Sequence, residues 1–191
     1  MSRTPSTRQH AANALGALSL VIADRMNAAV EAVTALGPSA PAALAALSEF
    51  LDGGSMTQLS SVLGLTHSGA VRLVDRLSAE GLVERGGSPD GRAVSIVLTR
   101  KGREAAASVL RARRESLDGA LADLADDDVR DLSRVMDTML ATVTLARAEE
   151  RSSQTSGPSR PWLCRLCELD ACGRSEGHCP VNNAVTAQGR R

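Results

Sequence analysis

The sequence predicts a mainly α fold with a small β wing: a winged helix-turn-helix set in a dimeric helical frame made by its N- and C-terminal helices. Three observations carry that prediction. Apolar residues recur every three or four positions through most of residues 10–150. A short capped helix, a Gly-Leu-Thr turn and a longer helix ending at a glycine follow one another between residues 55 and 81. Two short strand-like runs then flank a tip rich in glycine and proline.

Residues 1–9 are polar and are expected to be flexible. Leu15, Leu18, Ile22, Met26, Val30 and Val33 then form one stripe on a helix over residues 10–36, ended by Gly37 and Pro38. An early helix of this length suits either a core position or packing against a partner subunit. The apolar stretch 14–23, preceded by Arg3 and Arg8, has the look of a signal-peptide core, but the same period runs on past Asp24 and Arg25. A long helix and a cytoplasmic location are therefore expected. No stretch approaches the roughly 18 apolar residues of a membrane span, so no membrane partner is expected.

A short helix over residues 40–51 carries Leu44, Leu47 and Leu51 on one side, before the breaker Gly53-Gly54. Ser55-Met56-Thr57-Gln58 has the form of a capping box, and the helix it opens buries Leu59, Val62 and Leu63. Gly64 and Leu65 make a turn, and Thr66 caps a second helix that reaches Glu80 and stops at Gly81. Val71, Val74 and Leu77 are expected to face inward, leaving Ser68, Arg72 and Arg76 on an exposed face. Residues 82–85 and 93–98 are expected to pair as a hairpin around the tip 86–92. Thr99 caps a long helix to about Leu124, and Asp126, Asp127 and Asp128 open a last one, where negative charge meets the positive end of the helix dipole. Residues 151–160 read as a flexible linker, and residues 161–191 as a cysteine-rich tail.

Charge balances over the whole chain, 22 basic against 22 acidic residues, so net charge selects no partner. Its distribution does. Between Thr66 and Arg103 there are seven basic residues and four acidic ones, whereas residues 104–150 hold eleven acidic and six basic. A locally basic module on an acidic frame can orient toward phosphate. Phe50 and Trp162 are the only aromatic residues, which argues against stacking on unpaired bases and leaves duplex DNA as the expected nucleic-acid partner. On that reading Thr66, His67, Ser68, Arg72 and Arg76 lie at or along the reading helix, and Arg92 at the hairpin tip has the reach to enter a minor groove.

The run 56–85, the segment Pro89-Asp90-Gly91-Arg92-Ala93-Val94 and the segment Leu98-Thr99-Arg100-Lys101-Gly102-Arg103 resemble the multiple-antibiotic-resistance regulator (MarR) family. The resemblance covers about residues 10–150. It implies a winged-helix domain with a DNA-binding part at 40–103, dimerisation helices at 10–36 and 100–150, and a homodimer on a pseudo-palindromic operator. It also implies repression, relieved in many members by a small-molecule effector. By position it makes Thr66 to Glu80 the recognition helix and gives Asp90 the role of orienting the wing for Arg92. Ser60 stands where many members carry alanine, and His67, Gly69 and Ala70 replace bulkier or more polar residues at the reading end.

Cys164, Cys167, Cys172 and Cys179 lie outside that resemblance, at spacings C-x2-C-x4-C-x6-C. Four thiolates this close, with Gly173, Gly177 and Pro180 between and after them, can surround one metal or cluster. Zinc and an iron–sulfur cluster fit the spacing equally well, and a metal-free thiol switch is the third reading. None of these is needed for the DNA-binding fold. Two other functions compete with a regulator. One is a zinc-dependent protein-interaction module without sequence-specific DNA binding. The other is a thiol oxidoreductase on Cys164 and Cys167, which lacks the alternating strands and helices expected around a redox Cys-x-x-C. No acid–base pair or phosphate loop points to an enzyme.

Overall fold

The computed structural model describes residues 6–87, 94–153 and 160–188. Helix α1, Thr7–Thr34, opens on a full capping box in which the Ser6 hydroxyl accepts from the Gln9 backbone and Gln9 reaches back to the Ser6 N–H. Residues 7–9, expected to be flexible, are therefore helical. Ala35 closes the helix in the left-handed conformation.

Helix α2, Ser39–Glu49, is the centre of the molecule. Residues 40–47 are all buried, so this helix is covered on every side rather than along one leucine stripe. The reason is composition: five of those eight residues are alanine, and their small side chains let α1, α3, the sheet and α5 all approach closely. Leu44 and Leu47 fill the main cluster with Leu59, Leu73, Leu77 and Ile96.

Strand β1, Gly54–Ser55, pairs with the hairpin and adds a third strand where the sequence shows only the breaker Gly53-Gly54. Helices α3, Met56–Leu63, and α4, His67–Ala79, follow with the expected caps: Ser55 with Gln58, and the Thr66 hydroxyl accepting from the Gly69 N–H. The strands β2, Val83–Gly87, and β3, Val94–Leu98, are antiparallel, and the sheet order is β1-β3-β2. Ile96 and Leu98 point into the core.

Helix α5, Arg100–Leu121, is bolted to the end of α4 by its first turn. The Thr99 hydroxyl donates to the Gly81 carbonyl at 2.7 Å and accepts from the Gly102 N–H at 2.9 Å. Gly102 is required there, because a Cβ would lie 1.9 Å from the Leu82 carbonyl oxygen. Helix α6, Asp126–Ser153, carries the acidic first turn read from the sequence and runs three residues into the expected linker. A 3-10 turn, Leu163–Leu166, and helix α7, Pro180–Gln188, form the tail. Among the described residues no single helix is long and apolar enough to cross a membrane.

Candidate nucleic-acid interface and a docked cysteine tail

Helix α4 buries Ala70, Leu73, Val74 and Leu77, a three-and-four spacing that aims the helix at α2 and α3. Val71 is only half-buried, one step off the stripe expected from the sequence, and Ala70 takes the inward place instead. Ala70 is thus a packing residue and reads nothing. Thr66, His67, Ser68, Arg72 and Arg76 are not among the buried residues, as expected. Gly69 packs beneath the cap: a Cβ there would sit 3.1 Å from the Thr66 hydroxyl, so glycine leaves the N-terminal turn unstrained.

The basic residues of this region divide sharply by partner. Arg85 pairs with Asp75, tying β2 to α4. Arg100 pairs with Glu104 in the first turn of α5. Lys101 donates to the Glu80 carbonyl at 2.7 Å, and Arg103 to the Leu98 carbonyl at 2.8 Å. These four hold the fold. Arg72 and Arg76, by contrast, have no hydrogen-bond or ion-pair partner among the described residues. They line a shallow groove with Ser39 and Gly69. Two cations left unpaired on one face of a capped helix can donate to phosphate or to base edges. Asp90 and Arg92, the expected wing residues, lie outside the described residues.

The tail is not a free appendage. The Trp162 N–H donates to the Val62 carbonyl at 2.8 Å. Val62 lies in the last turn of α3, where carbonyls have no partner within the helix, so the tail caps the first helix of the helix-turn-helix from outside. The Trp162 ring stacks on Phe50 with centroids 6.2 Å apart and planes 2° from parallel. The chain's two aromatic residues thus meet in one contact. Leu166 packs against both core clusters, and the Leu169 N–H donates to the Glu49 carboxylate at 2.8 Å. Arg114 of α5 pairs with the largely buried Glu168, which holds the guanidinium in its charged form, and Arg147 of α6 donates to the Pro161 carbonyl at 2.7 Å. These contacts join residues far apart in sequence, so no local pattern announces them.

All four cysteines are free thiols, Cys179 buried and the others half-buried. The 3-10 turn brings Cys164 and Cys167 together, the Cys167 N–H donating to the Cys164 carbonyl at 2.9 Å. The neighbouring Cys164 thiol, as a donor, pulls Cys167 down to about 6, with Arg113 and Arg165 assisting against burial, while Cys167 and burial push Cys164 well up. Burial raises Cys172. The Cys172 thiol also donates to the Leu169 carbonyl at 3.3 Å. Among the described residues no three His, Cys, Asp or Glu side chains close on a single point.

Between α3, α6 and the tail lies a half-open cavity of about 450 Å³, with Ser61, Thr144, Arg147, Trp162 and Val185 on its wall. The Thr144 hydroxyl is buried there without a hydrogen-bond partner. A buried donor left this way is a place where a bound polar atom would be stabilised.

Residues 36–93 match the family model described as MarR family. The YusO protein of Bacillus subtilis is similar in structure at a TM-score of 0.61 and 19% identity, over 71% of this chain and 97% of that one. A MarR family protein of Bacillus stearothermophilus gives 0.60 and 23%, over 73% and 99%. A MarR-family transcriptional regulator of Silicibacter pomeroyi gives 0.50 and 27%, over 66% and 87%. No curated protein sequence matches the chain significantly.

Proposed function

We propose that this chain, a MarR-family winged-helix domain with the cysteine segment as an addition, is a DNA-binding transcription regulator. It acts as a homodimer that represses from a pseudo-palindromic operator. The observation that carries the reading is the division of cations around α4. Neighbouring basic residues are consumed by the fold, while Arg72 and Arg76 stand unpaired along the exposed face of the helix whose N-terminal end carries His67 and Ser68, a face suited to a major groove. Nothing in this reading requires catalysis.

The homodimer is supported by apolar surface. Leu15, Leu18 and Val21 on α1 and Val135, Met136, Met139, Leu140 and Val143 on α6 are all exposed in the single chain. Two helices with uncovered apolar faces at the ends of a domain suit an isologous interface, where one patch serves both subunits. Two reading helices related by that symmetry would meet two half-sites, hence a palindrome. A small-molecule effector would find its best-suited place in the Thr144 cavity, which offers an unpartnered hydroxyl and the Arg147 cation to an amphipathic molecule.

A mobility-shift assay with the DNA upstream of the chain's own gene tests the reading. The expected result is a salt-sensitive shift that resists nonspecific competitor and a footprint with two-fold symmetry. No such shift overturns the regulator reading in favour of a protein-interaction module.

A further inference from the structure

We propose that the cavity between α3, α6 and the tail is a binding site for an aliphatic carboxylic acid, taken as its anion, and that the bound anion holds the tail on the helix-turn-helix. The proposal rests on and deepens the effector reading above, although binding itself does not require that the chain act on DNA.

Most of the cavity wall comes from the tail, outside the winged-helix domain. Ser61 of α3 and Thr144 of α6 line one side, and Trp162, Leu163 and helix α7, which packs along α6, supply the other. Its volume of about 450 Å³ lies within the range of roughly 300–1,000 Å³ in which pockets take small organic ligands.

An unpaired hydroxyl gives the site a polar anchor. Thr138 and Thr142 of α6 each donate to the carbonyl four residues earlier, at 3.1 and 3.0 Å. Thr144 on the same helix is 2% exposed and its hydroxyl has no partner, so it is left for an acceptor in the cavity. Charge makes that acceptor an anion. Arg147 and Arg174 both line the cavity, and no aspartate or glutamate does. Arg147 gives one N–H to the Pro161 carbonyl, and a guanidinium has five. Arg174 has no ion pair among the described residues. Arg165 is lowered by burial and then by the like charge of Arg147, so a cation would add to a repulsion that an anion relieves.

The apolar wall selects the body of the ligand. Leu163, Val181 and Val185 are branched aliphatic side chains, and the one ring on the wall, Trp162, already stacks on Phe50. A carboxylate that accepts from Thr144 and a guanidinium leaves an alkyl chain to these three residues. Occupancy reaches the helix-turn-helix through Trp162, which lines the cavity while its N–H caps Val62. Because most of the wall leaves with the tail, the anion binds the seated state alone and stabilises it by mass action.

Calorimetry on the full chain with octanoate as the probe tests the site. One octanoate per chain is expected. Octylamine and 1-octanol, which keep the body and lose the anion, and 2-naphthoate, which keeps the anion on a flat ring, should each bind at least about tenfold more weakly. Thr144→Val keeps the side-chain shape and removes the orphan hydroxyl, so the unliganded variant should melt no lower than the wild type while octanoate affinity falls at least about fivefold. Arg174→Gln should lower that affinity at least about tenfold. No octanoate binding, equal binding of octylamine or octanol, equal or tighter binding of 2-naphthoate, or full affinity in both variants overturns the site. Amide exchange tests the hold on the tail: with octanoate about tenfold above its Kd, the Trp162 N–H should exchange about tenfold more slowly. Unchanged exchange overturns the coupling. A chain that binds octanoate yet fails to shift DNA sinks only the regulator reading.

Discussion

Helices α2 and α6 are both rich in apolar residues and end in opposite circumstances. Helix α2 has eight successive residues buried by its own chain. Across the 28 residues of α6, Thr144 is the one fully buried described side chain, and Val135, Met139 and Val143 stay between 38% and 48% exposed. The two helices mark where the fold is self-sufficient and where it is not. The winged-helix half closes its core alone, whereas α6 receives α7 along one side and keeps much of its remaining apolar face exposed.

Disrupting each helix in turn puts this contrast under the greatest load. Leu44→Ala in α2 should cost about 2–5 kcal/mol of stability in denaturant titration, because a fully buried leucine leaves a cavity that packed neighbours cannot fill. A cost below about 1 kcal/mol would mean that α2 is not the centre of the core. On α6, a Val135→Glu, Met139→Glu double variant should sediment as a monomer with its helical circular dichroism kept. Its operator affinity should fall by at least about tenfold, since two half-sites are no longer bound together. A variant that remains dimeric would remove α6 from the interface.

Finer effects separate the reading face from the residues that hold it. Arg72→Ala should cost about 1–3 kcal/mol more on the operator than on random DNA, whereas equal losses would reduce Arg72 to a positioning contact. Trp162→Ala should destabilise the chain by about 1 kcal/mol beyond its lost burial, with Trp162→Phe restoring most of the stacking. No difference between the two substitutions would show that the stack contributes nothing. The smallest effect is expected for Asp75→Asn. It breaks an ion pair whose side chains are about half exposed, so it should move stability by less than about 1 kcal/mol.

Much of the helix-turn-helix is legible in the residues themselves, and the exceptions have physical causes. The capping boxes at Ser6 and Ser55 differ in this respect: an apolar run follows Ser55 at once and marks its box as a helix start, whereas Ser6 sits in a polar terminus that hides its own. On α4 the sequence places Val74 and Leu77 inward as found, but Val71 is only half-buried and Ala70 takes the inward place, because Val71 is a stronger apolar signal than Ala70. Alanine hides burial for the same reason in α2: small side chains carry little hydrophobic signal, yet they are what allow helices to close on every side.

The helix starts after Ser55, Thr66 and Thr99, the turns, the pairing of β2 with β3 and the cations on the outer face of α4 follow from the sequence alone. They depend on residues within a few positions of one another, where caps and periodicity act. Tertiary contacts set the rest. They consume Arg85, Lys101 and Arg103 in holding the fold while leaving Arg72 and Arg76 unpaired, and they place a tail about 100 residues downstream as the cap on Val62. The physical reason is that a hydrogen bond or an ion pair needs only proximity in space. The orphan carbonyl at the end of α3 accepts whatever donor the folded chain brings, and no local pattern says which one that will be.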